Sequence, residues 1–125
     1  MTGARFSMTT LNGIPLPAAL DNDTFPGTAH YTFVADTLAF DGHGTISDVE
    51  VDRLDYVGGT QPSIVSTTRG TMHYTLAGDA GTAIGDCPEN APCLPIQFSF
   101  SLLADTGLVL QAQSTHAVDT FHRLR

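Results

Sequence analysis

Three groups of residues carry side chains able to do chemistry. Between positions 47 and 55 the chain reads SDVEVDRLD, which sets Asp48, Glu50 and Asp52 at every second position. Carboxylates are the ligands of hard cations such as calcium. On a strand, however, these three stand roughly 7 Å apart along one face, too far for all of them to grip one ion. The run therefore reads as a solvated outer face, with Val49 and Val51 turned inward. Five histidines stand at 30, 43, 73, 116 and 122, with no two of them two residues apart. Histidines on neighbouring strands can converge on a metal, and His73 beside an acid inside a fold could move protons. The plainer reading is a set of surface or half-buried imidazoles, so no metal site is expected. There is no phosphate loop, G-x-S-x-G, H-E-x-x-H or calcium-loop spacing. No catalytic residue and no cofactor is assigned.

The third group is the stretch GDCPENAPCLP at 85–95, which holds both cysteines, Cys87 and Cys93. Paired zinc ligands usually stand two to four apart and need two further ligands, and a redox pair more often reads C-x-x-C. The spacing suits a disulfide across the base of a short loop stiffened by Pro88 and Pro92; the other reading is two buried thiols. In the chain-entropy model so small a loop contributes only ~2 kcal/mol. A disulfide places the chain in an oxidising, extracytoplasmic setting: secreted, periplasmic or at the cell surface. Residues 1–14 lack the long apolar centre of a secretory signal.

Composition narrows the partners. The 125 residues carry a net charge of −8, with five arginines and no lysine. Two of those arginines lie in the last three residues and none form a patch, so nucleic acid and anionic membrane surfaces are disfavoured. An apolar content of 42% is enough for one core, and one domain over 1–125 is expected. No apolar run reaches the ~18 residues of a membrane helix, so no transmembrane segment is expected.

These residues must be positioned by strands. Threonine occurs 17 times and turn residues recur at short intervals, which is an all-β composition. Residues 4–12 alternate and end at Asn12-Gly13, a turn pair. Residues 15–28 hold three prolines and no period, with one helical turn conceivable at 17–20. Residues 29–41 form a long strand in which Tyr31 and Phe33 share one parity and Leu38 and Phe40 the other; a bulge near Ala35-Asp36 lets both pairs face one core. DGHG at 41–44 turns into a partner strand at 45–57. Residues 64–77 form one bent or two short strands with Gly70 at the kink, and 82–86 leads to the cysteine loop. In 95–104, Ile96, Phe98, Phe100 and Leu102 take one face, and strands at 108–114 and 117–124 complete the chain. Some eight strands joined by short turns, without a covering helix, leave two open edges unless the sheet closes. An antiparallel up-and-down eight-stranded β-barrel is the expected fold, with a β-sandwich as the alternative.

LNGIPLPA at 11–18, TLAFDGHGT at 37–45, GTMHYTLAGD at 70–79 and the terminal DTFHRLR at 119–125 resemble the small lipocalin-like (calycin-like) barrel domains of bacterial secreted lipoproteins. The resemblance implies an extracytoplasmic eight-stranded barrel and supplies no catalytic motif. The departure is His73 before Tyr74, where the family's tyrosine is expected earlier.

The inward side chains carry the functional expectation. Tyr31, Phe33, Met72, Tyr74, Phe98, Phe100 and Leu110 are expected to line the interior, with Leu76. A barrel of eight strands is just wide enough to fill itself or to hold one small ligand. The leading expectation is a ligand-binding barrel for one small hydrophobic molecule, with the hydroxyls of Tyr31 and Tyr74 as polar contacts and a mouth overhung by 15–28. Two alternatives stand beside it. One is a small barrel enzyme of the cyclase or isomerase type that acts by substrate shape. The other is a protein-binding barrel such as a protease inhibitor, working through Ile14, Leu16, Leu20 and Phe25. The chain is expected to be a monomer or homodimer.

Overall fold

Alternation with a period of two, interrupted every six to fourteen residues by turn residues, builds one continuous antiparallel sheet. In the computed structural model, which describes residues 3–19, 29–56, 62–87, 93–104 and 106–124, ten strands follow one another. They are β1 (Arg5–Leu11), β2 (Ile14–Pro15), β3 (Ala18–Ala19), β4 (Ala29–Phe40), β5 (Thr45–Tyr56), β6 (Ile64–Ala77), β7 (Ala80–Gly85), β8 (Gln97–Leu103), β9 (Gly107–Ala112) and β10 (Val118–Leu124). No helix occurs among the described residues, so none there is long and apolar enough to cross a membrane. From β4 to β10 each strand pairs with the next, and β10 pairs with β1. The sheet closes where β1 pairs with β4, through Arg5 with Ala39, Phe6 with Leu38 and Ser7 with Thr37. Closure makes an eight-stranded barrel and sets the sandwich aside; β2 and β3 are short additions to β1 and β4.

The turns follow their residue types. Asn12 and Gly13 both take positive φ, 48° and 83°, and return β1 into β2. Between β4 and β5, Asp41 Oδ1 accepts the N–H groups of His43 at 2.6 Å and Thr45 at 3.0 Å. Those two donors hold its carboxyl below the usual carboxylate range. Residues 18–19, where a helical turn was conceivable, are instead extended and pair with Phe33 and Thr32. Backbone donors of β4 there are better satisfied by a strand than by a single turn of helix, which nucleates at a cost.

Two bulges decide which side chains face inward. The β4–β5 register slips between Phe33 and Ala35, so one residue, Val34, is extra. Phe33 on one side of the slip and Leu38 and Phe40 on the other are all buried. The parity conflict in the sequence is thereby resolved. A second slip between Met8 and Thr10, against β10, lets Phe6, Met8 and Leu11 all pack on the core.

The interior has two unequal halves. At one end Phe6, Phe40, Tyr74 and Phe100 pack edge to face, with Phe40 at the centre, 5.6 Å from Phe6, 5.0 Å from Tyr74 and 5.8 Å from Phe100 between ring centroids. Such pairs add to the area they bury. Ile46, Ala83, Leu108 and Phe121 complete this aromatic plug. Room for it comes from β7. A Cβ on Gly81 would stand 2.6 Å from Cζ of Phe100 and would also meet the Thr75 carbonyl oxygen. Leu76, expected inside, is 37% exposed, because it lies near the end of β6 beyond the plug.

β6 outruns β7. Their pairing spans Met72–Ala77, so from Ile64 to Gly70 the strand has β5 as its described neighbour. At the far end of β7, Cys87 and Cys93 are joined as a disulfide with Cα atoms 5.7 Å apart, within the normal span. Pro88 and Pro92 lie outside the described residues. The bridge sits just beyond the Ile84–Gln97 pair and the Gly85 N–H···O=C Ile96 bond of 2.9 Å.

Two outcomes are expected from this packing. Gly81→Ala forces the Phe100 ring and the β6 backbone apart, a form of overpacking that costs roughly 1–3 kcal/mol, read as a lower Tm with the barrel retained. Cys87→Ser removes a short-loop constraint worth about 2 kcal/mol; the Tm drops modestly and the far-ultraviolet circular dichroism is unchanged. Thiol titration of the denatured, unreduced chain should find no free thiol.

Candidate functional site

The other half of the barrel is hollow. A cavity of about 390 Å³ opens there. It exists because two inward positions at this end, Gly70 on β6 and Gly85 on β7, have no side chain to fill it, and at Gly70 a Cβ would meet nothing within 4 Å. Its apolar wall comes from Met8, Leu11, Phe33, Met72, Phe98 and Leu110. Its mouth is bordered by Asp86 and by Cys93, Leu94, Pro95 and Ile96, so the disulfide fixes one lip of the opening. Leu94 at that lip is 92% exposed.

Of the seven interior residues expected from the sequence, Phe33, Met72, Phe98 and Leu110 line this cavity. Tyr74 and Phe100 belong to the plug instead. Tyr31 pairs opposite Leu54, away from the cavity wall. The mouth segment expected at 15–28 falls largely outside the described residues, and with it Leu20 and Phe25; of the pair that remains, Leu16 packs on the core and Ile14 is exposed.

The polar groups in the cavity are carboxyls, and the expectation for β5 needs correcting. Ile46 is buried in the core, and Asp48 and Glu50 share its parity, so they point into the barrel rather than to solvent. Val49 and Val51 take the other face. The acidic run is an inner face because the hairpin register sets Ile46 opposite Phe40, Asp48 opposite Leu38 and Glu50 opposite Asp36. Two more acids join them: Asp36, which shares the inward parity of Leu38 and Phe40, and Asp119 on β10. One carboxylate oxygen from each of Asp36, Asp48 and Glu50 lies within 4.8 Å of the other two. Neighbouring strands achieve what spacing along a single strand could not. Among the described residues that line the cavity there is no arginine or histidine.

Asp36 is only 5% exposed. Burial first, then a carboxyl–carboxyl hydrogen bond with Asp48 and the charges of Asp48, Glu50 and Asp119, push its pKa up to about 10. It is therefore a neutral acid at neutral pH. Glu50 is raised by burial and by Asp48, Asp52 and Asp119. Asp119 is raised by burial, which outweighs the N–H of Asn12 donated to its Oδ1 at 2.9 Å. Apart from the proton the pair shares, Asp36 Oδ1 and Asp48 Oδ1 are buried and meet no donor among the described residues. A buried acceptor without a donor costs about 1–3 kcal/mol, so the arrangement is held by the fold and not by its own interactions.

The histidine–acid pair anticipated at His73 forms outside the barrel. His73 Nδ1 lies 2.8 Å from Asp86 Oδ1, with the imidazole 69% exposed. Thr71 Oγ1 donates to Asp86 Oδ2 at 2.6 Å. Both contacts hold the Asp86 carboxyl below its usual range, and both tie the end of β7 to β6 beside the mouth.

No family model matches the chain, and no curated protein or solved structure matches it.

The raised carboxyls set the pH response of the fold. Between about pH 4 and pH 10 folded Asp36 keeps a proton that the unfolded chain has released. Its contribution to stability is complete below the unfolded pKa and is lost as pH rises towards the folded one, and Glu50 and Asp119 act in the same sense. Exposed Asp41, Asp55 and Asp86, with lowered pKa, oppose this only as the pH falls below about 4. The Tm at about pH 5 should exceed that at about pH 8.5. Asp36→Asn, which keeps the shape and removes the titration, should raise the alkaline Tm and flatten the profile. A wild-type profile with no alkaline decline would contradict this account of Asp36.

Proposed function

We propose that the protein is an extracytoplasmic, lipocalin-like binding barrel that takes one small molecule with an apolar body into its interior. The observation that carries this reading is the hollow half of the barrel: about 390 Å³ walled by Met8, Phe33, Met72, Phe98 and Leu110. That volume falls within the range of small-molecule sites, which are mostly apolar with a few convergent polar groups. The plug at the opposite end supports it, since a closed floor makes a cup and not a channel. An oxidising location is supported by the Cys87–Cys93 bridge, because disulfides persist outside the reducing cytosol. Lipocalin-like kinship rests on the sequence motifs named above and on the eight-stranded barrel.

A second reading has one observation in its favour. Asp36 is a buried carboxylic acid that keeps its proton at neutral pH and borders the cavity. A small barrel enzyme of the isomerase or cyclase type could use such a group to donate a proton to a substrate folded against the apolar wall.

Gly70→Leu tests the binding reading. Its side chain would project into open space in the cavity without meeting backbone. Saturable displacement of a hydrophobic fluorescent probe by medium-chain amphiphiles is expected for the wild type. The variant should lose it at least about tenfold while its Tm is unchanged or higher, as a cavity is filled. Equal probe binding by both proteins would sink the reading.

A further inference from the structure

The polar groups of the interior site are all acidic or uncharged among the described residues. Asp36, Asp48, Glu50 and Asp119 come from three strands, β4, β5 and β10, and none of the residues that border the cavity is basic. An acidic cluster alone is common. Here it is accompanied by a second feature: Asp36 is only 5% exposed, it borders the cavity, and apart from the proton it shares with Asp48 its Oδ1 meets no donor among the described residues. A buried acceptor left open towards a cavity is a place for a ligand's donor.

We propose that the ligand of this barrel is a primary amine in its ammonium form, whose N–H groups are accepted by Asp36, Asp48 and Glu50 while its carbon body lies along Phe33, Met72 and Leu110. The inference rests on the interior-binding reading above and names the ligand class for it. Geometry favours an ammonium. Three carboxylate oxygens within 4.8 Å of one another are close enough for one nitrogen to reach all three at about 2.8 Å. The rest of the cavity favours an organic cation over a bare metal ion. A calcium ion needs six to eight oxygens, whereas the wall above the cluster is carbon from Met8, Leu11, Phe98 and Leu110.

Binding must also answer for a proton. The titratable groups that face Asp36 are Asp48 and Glu50 from β5 and Asp119 from β10, all acidic, with Asp86 further out at the mouth. An ammonium takes the position of the proton that Asp36 holds, and that proton leaves to solvent. Affinity should therefore climb with pH through the neutral range, until the amine itself loses its charge near the lysine value of ~10.4.

The test is calorimetry of the intact chain with octylamine, 1-octanol and octanoate, and with calcium, magnesium and manganese chlorides. Octylamine is expected to bind saturably, about thirtyfold or more tighter than 1-octanol, as a buried charge pair requires, with octanoate weakest. Runs in two buffers of different ionisation enthalpy should register a released proton at neutral pH. Asp36→Asn and Glu50→Gln should each erase the preference for amine over alcohol and leave the affinity for 1-octanol in place, which shows the barrel intact; Asp79→Asn, an exposed turn acid, should change nothing. If 1-octanol binds as well as octylamine, the cation inference falls and the interior-binding reading stands. If none of the three amphiphiles binds, both fall. Tight binding of a divalent metal that excludes octylamine would overturn the amine in favour of a metal centre.

Discussion

Everything inside this molecule depends on three residue pairs. Arg5, Phe6 and Ser7 of β1 meet Ala39, Leu38 and Thr37 of β4, and with them the sheet has an inside. Backbone bonds from Gly3 N–H to the Phe40 carbonyl, 3.0 Å, and from Phe40 N–H to the Ala4 carbonyl, 2.8 Å, extend the seam. Phe6 is brought against Phe40 by the same pairing, so the closure and the aromatic plug are one construction. Without closure the same sheet would offer its acids to bulk water, where carboxylates need no special account. With it, they face one another across a closed sheet's interior.

That division of the interior follows from where bulk was spent. Aromatic rings and branched chains collect at the Phe40 end, where the small residues of β7, Gly81 and Ala83, accept them. At the opposite end glycine at 70 and 85 and carboxyls at 36, 48, 50 and 119 take up inward positions. A barrel of this strand number can be filled by side chains, so a hollow with acidic walls reflects side-chain choice and not strand count. Asp36 stays protonated there because burial first, and then its acidic neighbours, disfavour its charge.

Strand positions and barrel closure were legible in the chain because period-two alternation and turn residues are local signals. Phe98 and Phe100 against Ser99 and Ser101, and Asn12-Gly13 at a turn, say where strands run. The conflict of parity between Phe33 and Phe40 even pointed to the bulge. Which face of β5 turns inward was not legible from β5 alone. Alternation marks two faces without labelling them, and acids are ordinarily outside, so from β5 alone Asp48 and Glu50 read as solvent-facing. The label lay in Ile46, two residues earlier on the same face, and in its partner Phe40 across the hairpin. Asp36 escaped notice although it shares the parity of Leu38 and Phe40, because an acid on that face runs against the ordinary rule that acids lie outside. The carboxyl cluster is a product of register between strands, which no single stretch of sequence displays.

The outrun of β6 past β7 has its own consequence. From Ile64 to Gly70 the strand presents backbone donors and acceptors along a side that β7 does not cover, and such an edge can recruit a strand from another copy of the chain. Its sequence answers that hazard. Ser66, Thr67, Thr68 and Arg69 follow Val65 without a further apolar residue, and Arg69 sets a charge on the margin. Two copies meeting edge to edge would also bring together molecules of net charge −8, a repulsion that salt weakens. Colloidal stability of this small barrel is thereby tied to ionic strength.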